Sequence, residues 1–201
     1  WTVEDQKSLT DWMSQFLTWL TDSDYGRDEA RQQNNHGTWY DAQLLSLALF
    51  TDNHEVARQV AGRAAQRLDS QIEADGTQPH ELGRTKSLGY SLMNLTGLFD
   101  LADLGRHCDV DLWHYEGAGR RSLRGALDWL VANAIDSVWI RPQIEPFDAK
   151  RWLPVLRRAA YHFGDTAYSE RISGLPDVGD VTLDRSCLLY PDVEVKSISQ
   201  S

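Results

Sequence analysis

The sequence predicts an all-α fold, and three observations carry that prediction. Apolar residues recur at the spacing of amphipathic helices along most of the chain, whereas the strict alternation typical of strands is nearly absent. The segments between these periodic stretches carry the Gly, Pro and Asp residues that end helices and form turns. With 201 residues the chain can bury a substantial core, so we expect antiparallel helix pairs joined by short turns in one domain.

About six helices follow from this periodicity. The first has apolar residues at i, i+3, i+4, i+7, i+8 and i+11, namely Leu9, Trp12, Met13, Phe16, Leu17 and Leu20. The second is apolar on most sides and the third on one face, and the predicted helices cover 39–50, 54–68, 86–104, 123–134 and 150–163. From residue 174 onward the helical period is lost, which predicts an irregular tail.

Charge and cysteine usage exclude several classes of function. The formal charge is −10, from 20 Lys and Arg against 30 Asp and Glu, and the sequence has no basic run, so nucleic acid is excluded as a partner. No stretch reaches the roughly 18 apolar residues of a membrane span. Cys108 and Cys187 are either buried thiols or one long-range disulfide. We expect no metal and no cofactor, because five histidines share no ligand spacing: His54, His80, His107, His114 and His162.

The stretch NNHGTWYD, residues 34–41, places hydrogen-bonding side chains directly before a predicted helix start. Thr38 with Asp41 three residues on is typical of a helix N-cap, which would leave Asn35 and His36 in the preceding loop. The N-terminus of a helix attracts anions, and the side-chain amides beside it could add donors for a carboxylate. The alternative is that Asn34, Asn35 and His36 only satisfy a turn.

A second stretch, QPHELGRTKSLGYSLMNL at 78–95, places a polar stripe on an apolar helix. The stripe has i, i+3, i+4 and i+7 spacing and consists of Ser87, Tyr90, Ser91 and Asn94. Hydroxyls and an amide suit a polar cleft better than open solvent. Arg84 and Tyr90 can converge only if Arg84 lies in the loop before the helix. The alternative is that Arg84 pairs with Glu81 and Tyr90 packs in a core.

These two stretches, followed by DLWHYEGAGRRSLRGALDWL, resemble the alginate lyase family of helical-toroid polysaccharide lyases over residues 1–168. The resemblance is to the branch acting on mannuronan-like or glucuronan-like polymers. It implies an incomplete (α/α) toroid and β-elimination at a uronate without an essential metal. Family members are usually longer, with helices upstream. We therefore expect residues 1–173 to be the C-terminal portion of a lyase domain, 174–201 to be an extension, and a missing N-terminal segment to be a partner.

The resemblance also implies catalytic roles. Asn35 would hold the substrate carboxylate, His36 would be the base or orient it, Arg84 would support the charged intermediate, and Tyr90 would transfer protons. Such donors suit the chemistry, because removal of the C5 proton builds negative charge on the neighbouring carboxylate. On a syn polymer one tyrosine can be base and acid, provided a nearby cation helps it lose its proton. An anti polymer would use His36 as base and Tyr90 as acid.

Further residues are expected to bind the substrate. Trp39 and Tyr40 could stack on sugar rings, as could Trp113 and Tyr115, although core packing is the alternative for all four. Gln78 and Glu81 could orient Arg84 or touch the sugar. The expected set is completed by Asn34, Lys86, Ser91 and Asn94.

The sequence therefore predicts a polysaccharide lyase acting on an anionic polymer. Two alternatives stay open: a glycoside hydrolase on a helical barrel, and a non-catalytic helical protein that binds acidic glycans. A hydrolase needs a pair of carboxylates, and no Asp/Glu pair stands out beside the two stretches. Because polymer substrates lie outside the cytoplasm, we expect a secreted or periplasmic protein.

Overall fold

The structure, a computed structural model, describes residues 1–175 and 185–190. These residues form helices joined by loops, as the periodicity predicted. The α-helices are α1 (Val3–Asp22), α2 (Asp24–Arg31), α3 (Asn35–Phe50), α4 (His54–Gln71), α5 (Pro79–Leu82), α6 (Ser87–Gly105), α7 (Leu123–Ala134), α8 (Trp152–Phe163), α9 (Thr166–Gly174) and α10 (Ser186–Leu189). Short 3-10 turns lie at Arg106–Cys108, Ala118–Arg120 and Ala149–Arg151. None of the described helices combines the length and apolar character that crossing a bilayer requires.

The chain divides into two compact units, Trp1–Pro142 and Gln143–Ser201. In the described part of the second unit, α8 packs against α9 and α10, and the 3-10 turn Ala149–Arg151 leads into α8. Helix α10 lies inside the tail that was predicted to be irregular, and the rest of that tail lies outside the described residues. The predicted boundary between a lyase domain and an extension at residue 173 stays a prediction.

Helices α3 and α6 form the centre of the first unit. Helix α3 packs against α1, α2, α4 and α6, and α6 packs against α3, α4, α5 and α7. Both helices are buried on most sides because their sequences are apolar or small nearly all round. A glycine is needed where they meet: a Cβ at Gly97 would lie 2.9 Å from Thr38 Cγ2 and 3.2 Å from the Trp39 ring.

Helix α1 buries only part of its predicted apolar stripe. Leu17 and Leu20 lie in the core, whereas Trp12 is 57% exposed. The aromatic rings stack on one another along the outer surface instead, with centroid distances of 5.7 Å from Trp12 to Phe16 and 5.8 Å from Phe16 to Trp19. The predicted stripe therefore faces the core only near the end of the helix.

A buried ion pair fixes the start of α3 against its neighbours. The Asp41 carboxylate accepts hydrogen bonds from Arg63, at 2.5 Å, and Arg67, at 2.8 Å, both on α4. Arg67 also donates to the main-chain oxygens of Ala30 and Gln32 at the C-terminal end of α2. The last carbonyl groups of a helix have no partner within the helix, so this side chain supplies one. The Arg67 guanidinium, on α4, thus joins α2 to α3 at the last residue of the NNHGTWYD stretch. Cys108 and Cys187 are free thiols, and each is partly exposed where buried thiols were one of the two alternatives.

Candidate functional site

The predicted start of α3 is wrong by four residues. Asn34, not Thr38, is the N-cap, and its Oδ1 accepts from the His36 N–H at 3.0 Å. Asparagine is at least as good an N-cap as threonine, so the earlier start costs the helix nothing. Thr38 is buried one turn inside α3 and donates to Gln71 Oε1 at 2.7 Å. Asn35 and His36 are therefore held in the first helical turn.

The N-terminus of α3 does hold a carboxylate, but it belongs to the protein. Glu81 Oε1 accepts from the Asn35 main-chain N–H at 2.6 Å, and Glu81 Oε2 accepts from Asn35 Nδ2 at 2.9 Å. Glu81 is 1% exposed. The next N–H groups, of Gly37 and Thr38, donate to the Asn34 main-chain oxygen. Glu81 was predicted to orient Arg84 or to touch a sugar; the observed partner of its buried carboxylate is Asn35, and the sugar contact stays a prediction.

His36 is paired with a residue that the sequence analysis did not find. Its Nδ1 lies 2.9 Å from Glu29 Oε2, on α2. A carboxylate can only accept, so Nδ1 carries the proton and a neutral ring presents its Nε2 lone pair on the other side. Glu29 lies seven residues before His36, in a segment of α2 that the periodicity did not identify as a helix. Only the turn between α2 and α3 brings the two together.

Arg84 lies over Tyr90, as the loop placement required. Arg84 is in the bend between α5 and α6, and its guanidinium carbon is 4.1 Å from the centroid of the Tyr90 ring. This distance is typical of a cation–π contact. The alternative pairing of Arg84 with the Glu81 carboxylate is not the observed one; the Arg84 main-chain N–H instead donates to the Glu81 main-chain oxygen at 3.0 Å.

Contacts therefore connect three of the four predicted catalytic residues. Asn35 is bound by Glu81, Glu81 is followed closely by Arg84, and Arg84 covers Tyr90. The fourth, His36, follows Asn35 in α3. We call Asn35, His36, Arg84 and Tyr90 the polar cluster. Asn35 is only 3% exposed, whereas His36 is exposed and Arg84 and Tyr90 are partly exposed, so the cluster has both a buried and an accessible side.

The polar stripe of α6 faces the interior, apart from Tyr90. Ser91 is fully buried, and Asn94 uses both hydrogens of its Nδ2, donating to Gln71 at 2.9 Å and to Gln78 at 3.0 Å. Ser87 donates its hydroxyl to the Pro142 main-chain oxygen at 2.6 Å. The predicted contacts of Gln78, Ser91 and Asn94 with a substrate stay predictions. The amide network satisfies the Asn94 Nδ2, whereas the Ser91 hydroxyl, Asn94 Oδ1 and Gln78 Nε2 are buried without a hydrogen-bond partner among the described residues.

The aromatic residues predicted to stack on sugars differ in their burial. Tyr40 is 8% exposed and donates to the Leu20 main-chain oxygen at 3.2 Å, and burial raises the pKa of its phenol. Trp39 packs on Gly97. Tyr40 therefore packs in the core, whereas Trp39 keeps part of its surface exposed, and its stacking on a sugar stays a prediction.

In the second aromatic pair only Trp113 lies in the core, and Tyr115 stays partly exposed. Trp113 is buried, with its ring centroid 4.5 Å from that of Phe99. Tyr115 donates to Asp69 at 2.8 Å, and this bond raises the pKa of the Tyr115 phenol. Of the other predicted substrate contacts, Asn34 uses its side-chain oxygen as the N-cap, and Lys86 keeps part of its surface exposed at the start of α6. Within the described ranges no His, Cys, Asp and Glu side chains group in a way that could hold a metal ion.

The helical fold with this cluster belongs to a known class of protein. It matches the solved structure of an alginate lyase from Bacteroides ovatus with a TM-score of 0.81 at 30% sequence identity. The match covers 89% of this chain and 48% of that one, so the chain spans about half the length of the solved relative. The predicted all-α, toroid-type fold class is thereby confirmed.

Residues 1–140 match the sequence model of the family described as alginate lyase. The chain belongs to the alginate lyase family, which confirms the resemblance drawn from its two polar stretches. A comparison with curated proteins gave no match.

Proposed function

We propose that this chain carries the catalytic centre of a polysaccharide lyase that cleaves a uronate polymer, of the alginate or glucuronan type, by β-elimination. The observation that carries the proposal is the stacking on Tyr90 of Arg84, which lies three residues after the Glu81 that binds Asn35. It combines a cation, an amide donor and a hydroxyl, which are the groups that this reaction needs. Membership of the alginate lyase family supports the same reaction class.

In the proposed mechanism the cluster first stabilises the substrate carboxylate. Loss of the C5 proton shifts negative charge onto this carboxylate, and fixed donors stabilise that charge most when it has fully developed. Asn35 donates one Nδ2 hydrogen to Glu81 and keeps the second for the substrate. Arg84 adds a positive charge on the accessible side. These two groups therefore act on the developing anion.

Proton transfer then falls to Tyr90 and His36. On a syn polymer the C5 proton and the C4 oxygen lie on one face of the ring, so the Tyr90 oxygen can take the first and protonate the second. On an anti polymer the Nε2 lone pair of His36 takes the proton, because Glu29 holds the Nδ1 side. General acid and base catalysis of this kind contributes about 10²–10⁴-fold.

The carboxylates near the cluster favour a lyase over a glycoside hydrolase. A hydrolase needs two carboxyl groups that flank the bond to be cleaved. Glu81 is buried against Asn35, and Glu29 is bound to His36, so both have a positioning contact already. A lyase uses no such pair. We further propose that the protein acts outside the cytoplasm, in the periplasm or as a secreted protein, where its polymer substrate occurs.

Product analysis tests the proposed function. The purified chain is incubated with alginate, glucuronan and glycosaminoglycans, and the ultraviolet absorbance of an unsaturated uronate is followed together with reducing ends. We expect both signals to rise with at least one uronate polymer. Reducing ends without absorbance would indicate a hydrolase, and polymer binding without either signal would indicate a non-catalytic glycan-binding protein.

A further inference from the structure

We propose that Glu81 is a positioning residue that orients the Asn35 amide for the developing carboxylate anion; this inference rests on the proposed function. The sequence placed Glu81 among substrate contacts, but the structure buries it behind Asn35. Its two oxygens accept from two groups of one residue, the main-chain N–H and Nδ2. Such a two-point contact restricts the side-chain torsions of Asn35.

The chemistry of the carboxylate decides which way the amide points. The oxygen and nitrogen of an asparagine amide are hard to distinguish by shape, so their assignment depends on their partners. A carboxylate only accepts, and therefore the Asn35 atom 2.9 Å from Glu81 Oε2 must be the nitrogen. This leaves one Nδ2 hydrogen in a fixed direction. Because Asn35 is 3% exposed, a rotated amide would have little room to reach a substrate.

The location of Glu81 stabilises its charge and connects it with Arg84. The carboxylate lies at the N-terminus of α3, where the helix dipole favours a negative charge. The short helix α5 that carries Glu81 is held at its start, because Gln78 accepts from Asn94 Nδ2. At its end the Glu81 main-chain oxygen accepts from the Arg84 N–H. Asn35 and Arg84, the two donors proposed for the substrate carboxylate, therefore both hydrogen-bond to Glu81 of α5.

The variant Glu81→Gln tests this role. Glutamine has one accepting oxygen and one donating nitrogen, so it can keep only one of the two bonds and must turn a donor toward Asn35. We expect kcat to fall by about tenfold or more with KM changed by less than about threefold, as for a loss specific to the transition state. An unchanged kcat in the folded variant would overturn the inference.

A double-mutant cycle with Asn35→Ala distinguishes positioning from a separate effect. If Glu81 acts through Asn35, then Asn35→Ala should cost much less in the Glu81→Gln background than in the wild type. Fully multiplicative losses would show that Glu81 does not act through Asn35. Asp69→Asn is the matched control, because it replaces a part-buried carboxylate that accepts from Tyr115 outside the cluster. We expect it to leave kcat unchanged.

Two further measurements keep the test decisive. Should Glu81→Gln not fold, Glu81→Asp retains the charge but shortens the reach, and we expect the same fall in kcat; normal kcat in that variant would overturn the inference.

The second measurement needs no turnover. In wild-type NMR spectra we expect the Asn35 side-chain amide proton bound to Glu81 to be shifted and slow to exchange, and to lose both properties in the Glu81→Gln variant. Unchanged amide signals would overturn the positioning role, whereas the expected signals without any unsaturated product would count against the proposed function alone.

Discussion

The proposed chemistry depends most on the Tyr90 hydroxyl group. Tyr90→Phe keeps the ring, and with it the contact with Arg84 at 4.1 Å, but removes the only group proposed to protonate the leaving oxygen. We expect kcat to fall by about 10²-fold or more with the melting temperature and KM nearly unchanged. Tyr115→Phe, which removes a hydroxyl bound to Asp69, is the control and should keep its activity. Near-normal turnover of Tyr90→Phe would make Tyr90 a packing residue.

The contact between Glu29 and His36 predicts different effects on the cleavage of anti and syn polymers. Glu29→Ala frees the imidazole to rotate, so we expect kcat on an anti polymer to fall by about tenfold and that on a syn polymer to fall less. The chain offers a control in Asp111→Ala, because Asp111 lies 2.8 Å from the Nδ1 of His114 in a similar but more exposed pair. Equal losses in both variants, or none in either, would contradict an orienting role for Glu29.

At the scale of helices, the Asp41 ion pair makes a prediction about stability. Arg67 is 12% exposed and joins Asp41 to the end of α2, so Arg67→Ala leaves a buried charge and two main-chain oxygens without this donor. We expect the free energy of unfolding to fall by about 3 kcal/mol. Arg63 contacts the same carboxylate but is 40% exposed, and Arg63→Ala should cost about 1 kcal/mol or less. Urea denaturation measures both, and equal losses would contradict the assignment of the main role to Arg67.

Helix periodicity predicted the long helices well and the short ones not at all. Helix α7 has the predicted bounds, because its apolar face and the N-cap Ser122 lie next to each other in the sequence. Helices α2 and α5 were missed because one is highly polar and the other is a single turn that begins with Pro79. These two helices carry Glu29 and Glu81. The residue types of the cluster were therefore predictable, whereas the carboxylates that orient it required the tertiary structure.

For the whole molecule, charge is the unusual property. The chain has a formal charge of −10, yet the proposed substrate is a polyanion, so productive binding must depend on local cations. Arg84 lies in the bend before α6 and Lys86 is the N-cap of that helix, and both are partly exposed; Arg27 is paired with Asp24 at 2.7 Å. We expect Arg84→Ala to lower turnover without lowering thermal stability, and KM for the polymer to rise with ionic strength. Arg58→Ala, an exposed cation on α4, is the control. A loss of stability with normal turnover would indicate that Arg84 is structural.

The carboxylate that the protein places at the N-terminus of α3 also affects inhibition. Sulfate and phosphate commonly bind where helix N–H groups are unpaired. In this chain Glu81 and Asn34 already accept those hydrogen bonds, so the helix end is closed to small inorganic anions. Under the proposed function we expect an anionic inhibitor to engage the partly exposed Arg84 guanidinium instead, and so to compete with the polymer for a positive side chain and not for backbone N–H groups.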